Sequence, residues 1–147
     1  MSSNPRPKPV PTNHPEVAPY FQAGLRNELR IKKCGDCNTF QAYPQKNCGN
    51  CLSRNNIWIR VSGKGKIYSY TEVRQTPGPA FAADVPFVLA FVELDEADGI
   101  RIMSRIVDVD PRDVYVEMPV QVVFERRVDE ATGAYAVPNF KPATPRE

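Results

Sequence analysis

The spacing of apolar residues changes its rhythm twice along the chain. Met1 to Asn13 reads as an extended arm, because prolines at alternate positions (Pro5, Pro7, Pro9, Pro11) forbid helix and favour polyproline geometry. Val17, Tyr20, Phe21 and Leu25 then fall at helical spacing and predict a short amphipathic helix near Glu16 to Asn27. Pro15 and Pro19 belong in or before its first turn. So short a helix is unstable alone, so its apolar face must pack on the domain behind it or on a partner. Two β-rich stretches follow, Leu29 to Lys33 and Phe40 to Tyr43.

From Ile57 onward the pattern is all-β. Ile57 to Val73 reads as one long or bent strand, with Gly63 and Gly65 at the bend. Arg74 to Pro86 is a loop. Phe87 to Leu94 is an unbroken apolar run, the pattern of a strand buried on both faces. Asp95 to Gly99 is a turn, and Ile100 to Val107 the next strand. Asp110-Pro111 starts a single helical turn, with Asp as the cap and Pro at the first position. Val120 to Val128 is a strand, Asp129 to Gly133 a turn, and Ala134 to Val137 a short last strand, with Pro142 and Pro145 ending regular structure. Five strands with a helical turn between the third and fourth is the layout of the OB-fold, a five-stranded Greek-key barrel. The expected architecture is mostly β: an arm with a helix (1–28), a cysteine ribbon (29–57) and an OB-fold barrel with a C-terminal tail (58–147).

Composition narrows the class. The chain has 147 residues, 41% hydrophobic and 24% charged, enough to build one core. Nineteen Lys and Arg against 17 Asp and Glu give a formal charge of +2, too little for a dedicated DNA-binding protein. Val85 to Val92 is too short for a membrane span and contains Pro86. Arg6 and Lys8 are followed by no apolar stretch of signal-peptide type, so a cytoplasmic protein is expected.

The four cysteines carry the clearest chemistry. Cys34, Cys37, Cys48 and Cys51 form C-x2-C, ten intervening residues, then C-x2-C. In a reducing compartment this spacing points to metal ligands rather than disulfides. Each pair can form a knuckle with two thiolates converging on one ion, and four thiolates in a tetrahedron suit a structural Zn2+. A closed four-cysteine site has no open position for catalysis. An iron site uses the same ligands, and an iron-based electron carrier is one alternative. Neither knuckle has the Gly after its second Cys that often completes an iron knuckle; Asn38 and Leu52 stand there. With four thiolates and one Zn2+ the formal charge falls near zero.

No catalytic set is apparent. His14 is the only imidazole and lies on the arm. The thiols are used by the metal, and Ser62, Ser69 and Ser104 have no His to activate them. Asp95, Glu96 and Asp98 mark an exposed turn. Ser62-Gly63-Lys64-Gly65-Lys66 lacks the spacing of a phosphate loop and reads first as a bend.

A helix, a cysteine ribbon and a five-stranded barrel in this order resemble the acyl-CoA-associated zinc-ribbon/OB-fold family, also called domain of unknown function thirty-five. The likeness rests on Tyr20-Phe21, on Leu29-Arg30-Ile31-Lys32-Lys33-Cys34-Gly35-Asp36-Cys37 and on Tyr43-Pro44 ahead of Cys48 and Cys51. It continues through Trp58 to Tyr70, Pro86 to Leu94, Met118-Pro119-Val120, Val123-Phe124-Glu125 and Pro138 to Pro142. Glu117 stands where a Gly usually precedes Met-Pro, and Gln45 where an Arg is common after Tyr-Pro. The resemblance implies a rubredoxin-like zinc ribbon and a non-catalytic subunit that braces a thiolase-like enzyme in a hetero-oligomer. Such enzymes include steroid side-chain aldolases and the benzoylsuccinyl-CoA thiolase, and a CoA thioester would be a ligand of the complex only. Candidate contacts with the partner or with CoA are Tyr20, Phe21, Arg74 and Phe81. Phe81 would either anchor in a partner pocket or tuck onto its own barrel; Arg74 would meet a CoA phosphate or a partner carboxylate. The competing reading is a single-stranded nucleic-acid binder stacking bases on Tyr68, Tyr70 and Phe91, which a barrel more often places in its core. The near-neutral charge opposes it, so neither nucleic acid nor membrane is an expected partner.

Overall fold

The structure, a computed structural model, describes residues 7–11, 14–41, 45–76 and 78–143. Most of the predicted arm, Tyr43-Pro44, Pro77 and Pro145 lie outside the described residues. The helix α1 spans Ala18–Ala23 and tightens into a 3-10 turn over Gly24–Arg26, with Pro19 in its first turn as expected. Eight strands follow: β1 (Leu29–Cys34), β2 (Phe40–Gln41), β3 (Asn56–Val61), β4 (Lys64–Val73), β5 (Phe87–Leu94), β6 (Arg101–Ile106), β7 (Pro119–Asp129) and β8 (Gly133–Pro142). β2, β1 and β3 form a small antiparallel sheet, while the last five strands close into a barrel in the order β4-β5-β6-β8-β7. The mostly β, ribbon-then-barrel architecture is the one expected.

Three elements differ from the sequence reading. The single strand over Ile57 to Val73 is two. β3 pairs along its whole length with β1, from Leu29↔Val61 to Cys34↔Asn56, and β4 opens the barrel beside β5 and β7. Gly63 makes the break: it adopts φ +78°, and a Cβ there would run into the Val122 side chain. Gly65 lets β4 lie against β5, because a Cβ there would strike the Glu93 carbonyl oxygen. The last strand, read as ending at Val137, continues to Pro142 and pairs with β7 throughout. Pro138 fits inside it because β8 meets β6 only at Ile106↔Phe140, leaving an edge-like side that needs no N–H. Finally, β5 is buried on one face, not two. Val88, Ala90, Val92 and Leu94 point into the barrel and Phe91 points out, since a closed antiparallel barrel has a single interior.

One core joins ribbon and barrel. Leu29, Ile31 and Val61 of the ribbon sheet pack in the same cluster as Ile67, Val92, Val120 and Phe140 of the barrel. The helix covers the seam. Phe21 meets Tyr135 of β8 edge-on at 6.5 Å, and Tyr20 meets Phe21 at 5.0 Å while packing against the core. Gln22 Nε2 donates to the Ala134 carbonyl at 3.3 Å. The single-turn helix over Pro111–Asp113 forms as expected, with the Asp110 carboxylate accepting from the Arg112 N–H at 2.9 Å.

Candidate metal centre

Each cysteine pair lies on a tight turn whose backbone geometry is repeated in the other. The Cys34 N–H donates to the Thr39 carbonyl, and the Asn38 N–H to the Cys34 carbonyl. In the second knuckle Cys48 donates to Ser53, and Leu52 to Cys48. The residue after each second cysteine takes the left-handed conformation, Asn38 at φ 64° and Leu52 at φ 64°. The position that glycine occupies in many iron knuckles therefore has glycine-like backbone here without glycine, and the knuckle shape does not separate zinc from iron.

β1 and β3 anchor this end of the ribbon, and the four sulfurs converge there. All four lie within 4.8 Å of one another. Cys34 Sγ is 3.6 Å from Cys51 Sγ, and Cys37 Sγ is 3.6 Å from Cys48 Sγ. A tetrahedron of Zn–S bonds has edges of about 3.8 Å, so these separations fit a metal at the centre. Backbone N–H groups point at the sulfurs: Asp36 at 3.4 Å and Cys37 at 3.5 Å from Cys34 Sγ, and Asn50 at 3.3 Å from Cys48 Sγ. Such N–H groups, aimed at sulfurs that converge on one point, are what a metal–cysteine knuckle carries around its ligands.

The sulfurs also perturb one another. Hydrogen bonds from the Thr39 hydroxyl and backbone, with help from Asn50, lower Cys37 to about 6. Cys51 is pushed up to about 12: the Ser53 N–H favours its thiolate, but the Cys37 sulfur, burial and the other two cysteines outweigh it. Four converging sulfurs with N–H donors aimed at them form a site suited to one cation.

A supporting layer escaped the sequence reading. Asp36 accepts hydrogen bonds from the Ser53 hydroxyl and, at 3.3 Å, from Asn55 Nδ2, which tie the first knuckle to the second. Those two bonds hold its carboxyl below the usual range. Lys32, nearly buried, donates to Glu16 at 2.8 Å and to the Gln45 carbonyl at 3.1 Å, with Trp58 beneath it at 5.4 Å. The signal was present in part, since Asp36 and Ser53 each stand two residues beyond a ligand, Cys34 and Cys51.

Comparison with known proteins agrees with this architecture. The ChsH2 rubredoxin-like zinc ribbon domain matches residues 21–56, which hold all four cysteines, and the ChsH2 C-terminal OB-fold domain matches residues 58–125. A DUF35 domain-containing scaffold protein of Methanothermobacter thermautotrophicus is 32% identical over 117 residues, covering 79% of this chain and 86% of that protein. The chain belongs to the ChsH2/DUF35 family. A solved chain of the Ltp2-ChsH2(DUF35) aldolase superposes with a TM-score of 0.76 at 30% identity, over 92% of this chain and 100% of that one. A probable enoyl-CoA hydratase alpha subunit of Thermomonospora curvata is 32% identical over 140 residues, 95% of this chain. The chain spans 41% of the length of that relative. The donor set and the ribbon match support a structural zinc ion held by Cys34, Cys37, Cys48 and Cys51.

The departures from the family pattern also have places. Glu117 adopts φ 74°, the conformation a Gly there would favour, and its N–H donates to the Ile67 carbonyl at 2.7 Å. Gln45 lends its carbonyl to Lys32. Of the candidate contact residues, Tyr20 and Phe21 are half-buried on the chain's own barrel and core. Arg74 is 79% exposed and 3.2 Å from Glu72. Phe81 is half-buried in the loop before β5, with Lys8 of the arm 5.6 Å from its ring centroid. Tyr68, Tyr70 and Phe91 lie at the surface rather than in the core. No helix among the described residues is long and apolar enough to cross a membrane.

Proposed function

We propose that this chain is a non-catalytic accessory subunit of a thiolase-superfamily enzyme acting on acyl-CoA thioesters. The observation that carries the reading is the superposition, over its whole length, of a chain from an aldolase named for two components, Ltp2 and ChsH2. The enoyl-CoA hydratase alpha subunit points to the same substrate class. The chemistry of the chain is compatible. Its four thiols converge on a closed metal site, and His14, its only imidazole, lies at the surface, where its Nδ1 accepts from the Glu16 N–H at 3.1 Å. A rigid ribbon joined to a barrel through one core is suited to bracing a larger subunit and shaping the mouth of its CoA channel, while the reacting groups come from that subunit. A degradative thiolase of the benzoylsuccinyl-CoA type and a steroid side-chain aldolase are the enzyme types this fits, in a cytoplasmic hetero-oligomer.

Affinity purification of the tagged chain from its native host tests the reading. It is expected to recover a thiolase-like protein whose acyl-CoA activity falls sharply when this chain is removed and returns when it is added back. A thiolase-like protein that forms no complex with the chain and is fully active without it would sink the proposal.

A further inference from the structure

Three arginines share one carboxylate where the helix gives way to the ribbon. Asn27, left-handed at φ 58°, turns the chain from the 3-10 turn of Gly24–Arg26 into β1. Glu28, its side chain 17% exposed, accepts from Arg30 Nε at 2.9 Å, and Arg26 Nε lies 3.6 Å from the same oxygen. Arg60 of β3 comes within 3.9 Å of the other oxygen. The hydrogen bond from Arg30 holds the Glu28 carboxyl below the usual range, so it stays ionised. Arg30 and Arg60 are register partners on adjacent strands. Like charges at directly opposed positions destabilise a sheet. Three guanidinium groups against one carboxylate leave an excess of two positive charges.

Most of the guanidinium donors are unengaged. Within the cluster Arg30 Nε makes the one hydrogen bond, and the terminal N–H groups of Arg26, Arg30 and Arg60 have no hydrogen-bond partner among the described residues. Arg60 also lines a cavity of about 420 Å³ between ribbon and barrel, together with Asn27, Leu29, Ser62 and Phe124. That is the size of a small-molecule site, with apolar and polar groups in its wall. A guanidinium fork matches the oxygens of either a carboxylate or a phosphate. Charge separates the two. A carboxylate, or a phosphodiester of a nucleic-acid chain, brings one negative charge and leaves the cluster cationic. A phosphate monoester brings nearly two at neutral pH and balances it.

We propose that Arg26, Arg30 and Arg60 bind the phosphate monoester of a small molecule whose organic body enters the cavity beside Arg60. The site does not depend on the accessory-subunit reading. CoA carries such a monoester on its ribose, and so do smaller phosphorylated metabolites, so the sources are separated by the choice of probe.

The test titrates the full, metal-loaded chain by calorimetry with adenosine 3′-phosphate and with CoA, which both carry a ribose monoester, and with dephospho-CoA, which lacks it. The wild type is expected to bind CoA at least about tenfold more tightly than dephospho-CoA. Arg30→Gln with Arg60→Gln removes the opposed pair and should weaken both monoester probes about tenfold or more. The midpoint of the ligand-free variant should stay nearly unchanged, because exposed ion pairs add little and a like-charge pair is removed. Arg54→Gln with Arg112→Gln takes away the same charge at exposed positions elsewhere and is expected to bind like the wild type. If the first double variant unfolds, Arg60→Gln alone is measured, with weakening of about threefold expected. Adenosine 3′-phosphate binding without CoA binding upholds the site and excludes CoA as its source. The site is overturned if the wild type binds neither monoester, if dephospho-CoA binds as tightly as CoA, or if the folded arginine variant binds both probes like the wild type. The accessory-subunit reading stands or falls separately, on complex formation.

Discussion

Lys8 reaches from the N-terminal arm to Asp84 in the loop between β4 and β5, placing its ammonium 2.7 Å from the carboxylate. Arg105 of β6 shares the same carboxylate at 3.4 Å, and the Phe81 ring lies beside the ammonium. Two proline-rich segments far apart in sequence are thereby joined.

This contact is pH-dependent. The hydrogen bond from Lys8 holds the Asp84 carboxyl below its ordinary value of 3.8, with burial opposing and Arg105 assisting. A depressed carboxylate pKa stabilises the docked arm above the unfolded value, and that stabilisation is lost as pH falls through the folded one. Protease cleavage within the arm is expected to accelerate below about pH 4. Asp84→Asn should show the faster cleavage already at neutral pH, with the acid-dependent step gone. Equal arm protection in wild type and Asp84→Asn would contradict this.

Metal removal should unfold the ribbon and weaken the barrel with it, because Leu29, Ile31 and Val61 belong to the shared core. One equivalent of zinc per chain is expected by elemental analysis, in a colourless protein. Cys34→Ser or Cys48→Ser, each at a buried ligand, should abolish stoichiometric metal and lower the thermal midpoint by about 6–10 °C, on the order of a 2–3 kcal/mol loss. A coloured, iron-containing protein would overturn the zinc assignment.

Gly63 is the hinge between ribbon and barrel. Gly63→Val combines an unfavourable positive φ with a clash against Val122, so a loss of about 3 kcal/mol is expected in urea unfolding. Gly49→Ala, where an added Cβ meets nothing, serves as the neutral comparison.

Leu52 and Glu117 hold left-handed conformations that cost an ordinary residue about 1–2 kcal/mol. Glu117→Gly should therefore raise stability by about 0.5–1 kcal/mol after the added freedom of the unfolded glycine is counted. The same is expected for Leu52→Gly, whose side chain is 72% exposed and gives up little packing. Asn38→Gly should change less, because Asn tolerates this region. A loss of stability in both of the first two variants would show that their side chains hold contacts that outweigh the backbone strain.

What the amino-acid sequence determined was local in origin. The ligand set is legible because C-x2-C closes within one turn, so spacing alone brings two sulfurs together, and the short link does the rest. The helix, the Asp110 cap and the strand positions follow from periodicity and from groups that bond within a few residues. Tertiary structure decided everything that depends on pairing between distant segments. Whether Ile57 to Val73 is one strand or two rests on which neighbour each half finds, β1 or β5 with β7. The last strand runs past Val137, where its apolar pattern ended, and Pro138 lies inside β8 because its missing N–H falls where the ladder to β6 is absent. The apolar run of β5 could not reveal which of its faces stays uncovered. That followed only from closure of the barrel, which has room inside for one face and leaves Phe91 beside Met103 on the other.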